Sequence, residues 1–331
     1  MTRVSVIIAS NDRAGSISRA IESVLSQSYH DLELIIVDDG SKDNTAEIVA
    51  KYGQGARYFY QPHRGMAAAF NSGIGYASGE YVSFLYPSDV LLRDSIWSAV
   101  DVLEKNPDVG FAYGQGLYID NAYRVVRVKR STLSQHSDII DGKDLIREML
   151  FVFRLEVDGL MVRHRCLEET EGFDENLKYG YELPLLVRLA KKYKVAYIAE
   201  PLSKRPYQPD VNLGSTTPRQ AEQAFLALLE EVFKDQELRD RLGSIMNQAF
   251  CANYRRIAGY AYRKDMKMTR LYLRKAFMAH PTYFLLKYGF SDAYLYVKSF
   301  LPIRLLLKLS TLKEVLPRRY TKQRKLISKS R

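Results

Sequence analysis

Short apolar runs alternate with helix-period segments over roughly the first 110 residues of the chain. "VSVIIAS" (4–10), "LELIIVDD" (32–39), "RYFYQ" (57–61) and "YVSFL" (81–85) are rich in β-branched and aromatic residues and predict strands. Between them Ile17, Ala20, Ile21, Val24 and Leu25 recur at helical spacing, a second helix starts near Asn44, and a third runs from Met66 to Ala77. Asn44 with Glu47 reads as a helix N-cap and capping box, with no chemistry of its own. Strands that are apolar on both faces and separated by helices predict a doubly wound α/β sheet of parallel strands. Ligands of such sheets bind beyond the carboxyl ends of the strands, which singles out residues 9–12, 38–41 and 86–89.

Beyond Pro107 the strand-like pieces "VGFAYGQGLYID" and "DGLMVRHRC" precede an amphipathic helix, "YELPLLVRLAKKY", and a further strand, "VAYIAEPL". From about Thr216 the pattern is helical to the C-terminus. The chain therefore divides, on sequence, into an α/β domain over 1–215 and a basic α-helical region over 216–331. Residues 259–281 look like part of one tetratricopeptide-type hairpin, and a single copy suits capping or docking better than a solenoid.

Charge changes this picture more than composition does. Residues 251–331 hold 20 Lys or Arg against Asp265, Asp292 and Glu314, a net +17, whereas residues 1–250 carry a net −6. The final stretch mixes Leu, Phe and Tyr with these cations, which suits a helix lying on an anionic membrane surface. No nucleic-acid motif accompanies the charges, so a nucleic-acid partner is not expected. Apolar residues make up 47% and charged residues 26%, which rules out a disordered class. Cys166 and Cys251 sit alone, so neither a disulfide framework nor a CxxC metal knuckle is available. The first apolar stretch is too short for a signal peptide or a membrane span, so a cytoplasmic protein, peripheral on the inner face of the plasma membrane, is expected.

"ELIIVDDGSKDNT" (33–45), preceded by "VSVIIAS" and followed by "GMAAAFNSGIGYASGEYVSFL", resembles the inverting family 2 glycosyltransferases, which have the GT-A fold. The resemblance runs from Val4 to about Pro206. It implies transfer of a sugar from a nucleotide diphosphate donor, usually UDP-linked, to a saccharide or lipid-linked acceptor in surface glycan biosynthesis. Such a site must hold the nucleoside, neutralise a diphosphate leaving group and deprotonate an attacking hydroxyl. Asp39 matches the family aspartate that accepts a hydrogen bond from the base, and Asp38 beside it orders the loop. In the first loop Ala9, Ser10 and Asn11 stand where the family carries an aromatic that can stack on the base. Arg64 and Asn71 fall in the segment that passes beneath the ribose and diphosphate, while His63 reads as structural.

The loop "YPSD" departs from the family pattern. Family members show Asp-Ala-Asp-Asp after this strand, so Tyr86 and Ser88 replace carboxylates and Asp89 alone remains. Mg²⁺ or Mn²⁺ prefers hard anionic oxygens, so a metal held by Asp89 is expected to be weak or dispensable, with Ser88 and Asp89 still at the nucleotide. Arg64, Lys204 and Arg205 are the cations available to take its place. "FDENLKYGYELPLLVRLAKKY" aligns with the segment carrying the general base, which puts Glu182 at the catalytic position. A catalytically inactive sugar-nucleotide or glycan-binding protein on the same fold is the alternative that the altered loops leave open.

Overall fold

The computed structural model describes residues 3–120, 122–129, 133–151, 159–207, 217–262, 265–285 and 287–288. Strand β1 (Val4–Ser10) is buried at every position. It lies between β2 (Leu32–Asp39) and β4 (Tyr81–Leu85), parallel to both, and β3 (Arg57–Gln61) runs parallel to β2 on the outside. Helix α1 (Ile17–Leu25) covers one face, where Ile17, Ala20, Ile21 and Val24 join Val6, Ile8, Leu34 and Ile36 in one core. Helix α3 (Met66–Tyr76) covers the other face, at a crossing that leaves no room for a side chain. A Cβ on Gly73 would sit 2.4 Å from Ile7 Cγ2, so glycine is required there. This half of the sheet is the parallel, doubly wound arrangement that the apolar runs imply.

The second half is mixed. The strand order is β3-β2-β1-β4-β9-β6-β10-β5, with β7 on β6 and β8 on β10. Strand β9 (Met161–Arg163) is antiparallel to both β4 and β6 (Val109–Ile119), and β10 (Lys194–Pro206) then runs parallel to β6. β5 (Val90–Leu91), β7 (Val125–Lys129) and β8 (Asp138–Ile140) pair antiparallel. An apolar run reports burial on both faces, not strand direction, so this change of direction was not readable from periodicity. Likewise "DGLMVRHRC" is only partly strand: α6 (His164–Glu168) follows directly. Arg163, 7% exposed, fixes the mixed half. It donates to the carbonyls of Val109, Leu103 and Asn106 and to the Tyr81 hydroxyl, at 2.6–3.2 Å.

The compact unit that contains the sheet runs from Met1 to Ala249, so the helices after residue 215 begin inside it. Helix α8 (Pro218–Phe233) starts with a capping box, Thr217 with Gln220. It packs on α7 (Glu182–Lys192) through Arg188–Glu231 at 3.6 Å, and Lys191 reaches Asp235 just beyond α8 at 3.3 Å. Asn44 is the N-cap of α2 (Thr45–Ala50), but its side chain makes no capping hydrogen bond, so the expected capping box with Glu47 does not form; the neighbouring Asp43 carboxylate accepts from the Thr45 N–H and hydroxyl. The second unit, Phe250–Arg331, includes most of α10 (Met246–Ala261) and all of α11 (Met266–Ala279). There Tyr254 and Tyr272 lie 6.2 Å apart and Lys275 sits over both rings, so α10 and α11 meet through these side chains. The Leu-rich basic segment after residue 288 lies outside the described residues. Among those described, no helix is long and apolar enough to cross a membrane.

Glu33 on β2 is a buried acid whose surroundings decide its charge. It accepts from the Ser5 hydroxyl, from the Ser78 N–H and hydroxyl at 2.7 Å each, and from Arg57. Burial alone raises its pKa, but the Ser78, Ser5 and Arg57 hydrogen bonds outweigh it and bring the pKa down to about 2. A depressed folded pKa means that its stabilisation is full above the ordinary carboxylate range and is lost as pH falls toward 2. In urea melts Glu33→Gln should be less stable by about 1–3 kcal/mol near neutrality, and its stability should decline less than wild type's between about pH 4.5 and 2. Parallel pH profiles for the two proteins would remove Glu33 from the account.

Candidate active site

The loops at the carboxyl ends of β1, β2 and β3 are fastened to one another by carboxylates. Asp12, at φ 50°, accepts from the Lys42 and Asp43 N–H groups, and its own N–H donates to the Ser41 hydroxyl. The Asp43 carboxylate in turn accepts from the Ala14 N–H. Asp38 accepts from the Tyr58 hydroxyl at 2.6 Å and the Ser41 N–H at 2.8 Å; burial and this acceptor push the Tyr58 hydroxyl's pKa well up. Gly40, at φ +78°, makes the turn after β2, and a Cβ there would lie 2.9 Å from His63 N. Asp38 thus orders the loop, as its place at a strand end suggests.

Asp39, fully buried, is the centre of this arrangement. Oδ1 accepts from Gln61 Nε2 at 2.7 Å and from the Arg64 N–H at 2.8 Å. Oδ2 accepts from the Gly65 N–H at 2.8 Å and faces His63 Nδ1 at 2.8 Å. Gly65 is the N-cap of α3 at φ +101°. The Asp39 carboxylate therefore shapes the whole segment 61–65 and the start of α3. The Asn11 side chain donates to the Asp39 carbonyl at 2.7 Å. Ala9 and Ser10 are fully buried, and Ser10 Oγ has no hydrogen-bond partner among the described residues.

Arg64 and Asn71 face the segment that leads into α7. Arg64 pairs with Glu175 at 2.7 Å. Asn71 exchanges hydrogen bonds with the Phe173 main chain and donates to Glu175. Neither Glu175 nor Tyr181 was singled out from the sequence, and nothing in their local pattern marks them.

The "YPSD" loop is bound at both ends. The Tyr86 and Tyr181 hydroxyls lie 2.6 Å apart, and both rings pack with Phe70, while Phe173 packs with Phe70 and Tyr181. Tyr181 is the N-cap of α7, and Glu182 is the helix's first residue. Tyr86 is thereby linked to the start of the helix that begins with Glu182. At the other end Ser88 donates to Asp89 Oδ1 at 2.8 Å, and Arg205 donates to Asp89 Oδ2 from Nε and Nη2. The Asp89 side chain is 2% exposed and Arg205's 19%. Of the three candidate cations, Arg205 is the one placed in the loop. Among the described residues no three His, Cys, Asp or Glu side chains converge as a metal site. The donor set at Asp89 does not fit a tightly held divalent ion, because a guanidinium and a hydroxyl already take its oxygens.

A mixed sheet of this order, with acidic loops gathered at the carboxyl ends of its parallel strands, defines the GT-A fold of nucleotide-sugar transferases. Residues 5–165 match the model "Glycosyl transferase family 2", and the chain belongs to that family. It is 27% identical over 285 residues to a Campylobacter jejuni GalNAc(5)-diNAcBac-PP-undecaprenol β-1,3-glucosyltransferase, covering 82% of this chain and 86% of that protein. Over 204 residues it is 31% identical to an uncharacterized Rickettsia typhi glycosyltransferase, covering 61% and 63% of the two chains. Its match spans only 33% of an uncharacterized Rickettsia felis glycosyltransferase. Among solved structures it resembles S. aureus TarS 1-349 in complex with UDP-GlcNAc, with TM-score 0.57, 14% identity, and coverage of 88% and 92%. It also resembles the Pyrobaculum calidifontis mannosyltransferase PcManGT in complex with GDP-Man and Mn²⁺, with TM-score 0.54, 17% identity, and coverage of 90% and 87%.

Proposed function

We propose that the protein transfers a sugar, with inversion, from a nucleotide diphosphate donor, UDP-linked, to a hydroxyl of a saccharide or lipid-linked acceptor in surface glycan assembly. The observation that carries this reading is the Tyr86–Tyr181 hydrogen bond, which brings the loop that would meet the diphosphate to the helix that begins with Glu182. The UDP-GlcNAc held by TarS and the lipid-linked substrate in the Campylobacter relative's name support the donor and acceptor classes. In this reading the base lies over the β1 and β2 ends, and its N–H replaces the exposed His63 imidazole on Asp39 Oδ2. Glu182 takes the proton of the acceptor hydroxyl, the acceptor oxygen attacks the anomeric carbon, and the nucleotide diphosphate leaves on the opposite side. One in-line displacement inverts the centre. Metal, where present, is weakly held or dispensable.

A second reading, a non-catalytic sugar-nucleotide or glycan-binding protein, is favoured by Tyr86 and Ser88 in place of carboxylates. Glu182→Gln separates the two. It keeps shape and removes the proton acceptor, so turnover should fall by about 100-fold or more while nucleotide affinity is largely kept. Wild-type turnover in this variant would point to another base, and no release of nucleotide diphosphate by the wild-type protein with any acceptor would favour the binding protein.

The C-terminal region is read as the dock on an anionic membrane surface, on the strength of the net +17 over residues 251–331 and their Leu, Phe and Tyr content. The full chain should sediment with anionic liposomes at low salt and be released as salt rises. If it ignores anionic liposomes at low salt, the dock is lost from the account.

A further inference from the structure

The departure of a nucleotide diphosphate leaves negative charge that a cation or fixed donors must meet. Asp89 is poorly suited to hold a divalent ion for this, because Arg205 already lies on one carboxylate oxygen and Ser88 on the other. The surroundings of Arg205 supply a different solution.

Tyr118 on β6 is the register partner of Arg205 on β10 and also of Arg127 on β7. Direct cross-strand partners project from the same face of a sheet, so the three residues form one ladder across three adjacent strands. Both guanidinium groups lie over the Tyr118 ring, with their central carbons 5.8 Å (Arg205) and 5.6 Å (Arg127) from its centroid. The ring itself is only 4% exposed. A buried aromatic that holds two guanidiniums fixes like charges close together, an arrangement that needs a counter-charge. Asp89 offsets Arg205. Arg127 is exposed, and among the described residues no carboxylate forms an ion pair with it.

We propose that the Arg127–Tyr118–Arg205 ladder is the binding site for the diphosphate of the nucleotide donor and takes the place of a divalent cation. The proposal rests on the transferase reading and deepens it. Guanidinium groups match phosphate oxygens in planar, bidentate geometry, and they stack on aromatic rings, so this residue pair suits an extended dianion better than a lone lysine would. Asp89 and the Tyr118 ring orient Arg205 before the ligand arrives, which limits the ordering cost on binding. During transfer the bond from the anomeric carbon to the diphosphate oxygen breaks as the bond to the acceptor oxygen forms. The electron pair goes to the diphosphate, where the ladder meets it, and the acceptor proton goes to Glu182.

The test is calorimetry on the full chain in excess EDTA, with UDP, GDP and uridine as probes, for wild type, Arg127→Met, Arg205→Met and Arg205→Lys. Arg205→Met leaves the buried Asp89 unpaired and is judged only if it melts as a folded protein; Arg127→Met, at an exposed position, keeps the proposal testable in either case. Wild type should bind a nucleoside diphosphate in EDTA. Each Met variant should bind it about 10- to 100-fold more weakly, with uridine affinity little changed and Arg205→Lys in between. Equal diphosphate affinity in wild type and Arg127→Met would overturn the ladder, as would loss of wild-type binding in EDTA with rescue by Mn²⁺. Unchanged nucleotide affinity with a raised KM for a lipid-diphosphate acceptor would assign the ladder to the acceptor and overturn the proposal as stated. A wild-type protein that binds neither UDP nor GDP under any condition would remove the transferase reading itself, a result distinct from these.

Discussion

A single buried carboxylate, Asp39, holds together the loops at the carboxyl ends of the parallel strands. It sits at the end of a strand whose neighbours are apolar, and three N–H groups from residues 61–65, those of the Gln61 side chain, Arg64 and Gly65, converge on it. The same bonds dictate the path of the β3–α3 loop and present Gly65 as the start of α3. Asn11 then ties the first loop to the Asp39 carbonyl, and Asp12 ties it to the residues after Gly40. The carboxyl ends of three parallel strands are thus one hydrogen-bonded platform rather than three independent loops.

A second set of contacts joins this platform to the segment that leads into α7. Asn71 and Arg64 reach from α3 and its leading loop to Phe173 and Glu175, and the aromatic cluster of Phe70, Tyr86, Phe173 and Tyr181 fills the space between α3, β4 and α7. The half-buried Tyr86 ring packs with Phe70 and its hydroxyl meets that of Tyr181, packing work that a carboxylate at this position would not do. Asp89, the carboxylate of this loop, is met by the Arg205 guanidinium, so the loop is electrostatically consistent with itself.

Much of the first half of the fold was legible in the sequence, since its strands are local apolar runs and its loops follow from the parallel arrangement. The placement of Asp38, Asp39 and Glu182 came from the family pattern over contiguous motifs. What could not be read was the meeting of residues distant in sequence. The choice of Arg205 over Arg64 and Lys204 depends on the register of β10 against β6, which includes shifts at several positions that no local pattern reports. Tyr181 and Glu175 gave no signal because their partners, Tyr86, Arg64 and Asn71, lie about a hundred residues away. Asn44 does stand at the N-cap, and it is the side-chain bond of the expected capping box that is absent, while Asp43 one residue earlier accepts from Thr45.

The account stands or falls on Asp39 as the residue that builds the nucleotide platform. The most direct measurement is a calorimetric titration of UDP into Asp39→Asn, a variant that places an amide N–H₂ among N–H donors at no cost in volume. The account predicts a folded protein whose affinity for UDP is weaker by about 1–3 kcal/mol, roughly 5- to 150-fold. Wild-type affinity in that folded variant would contradict it.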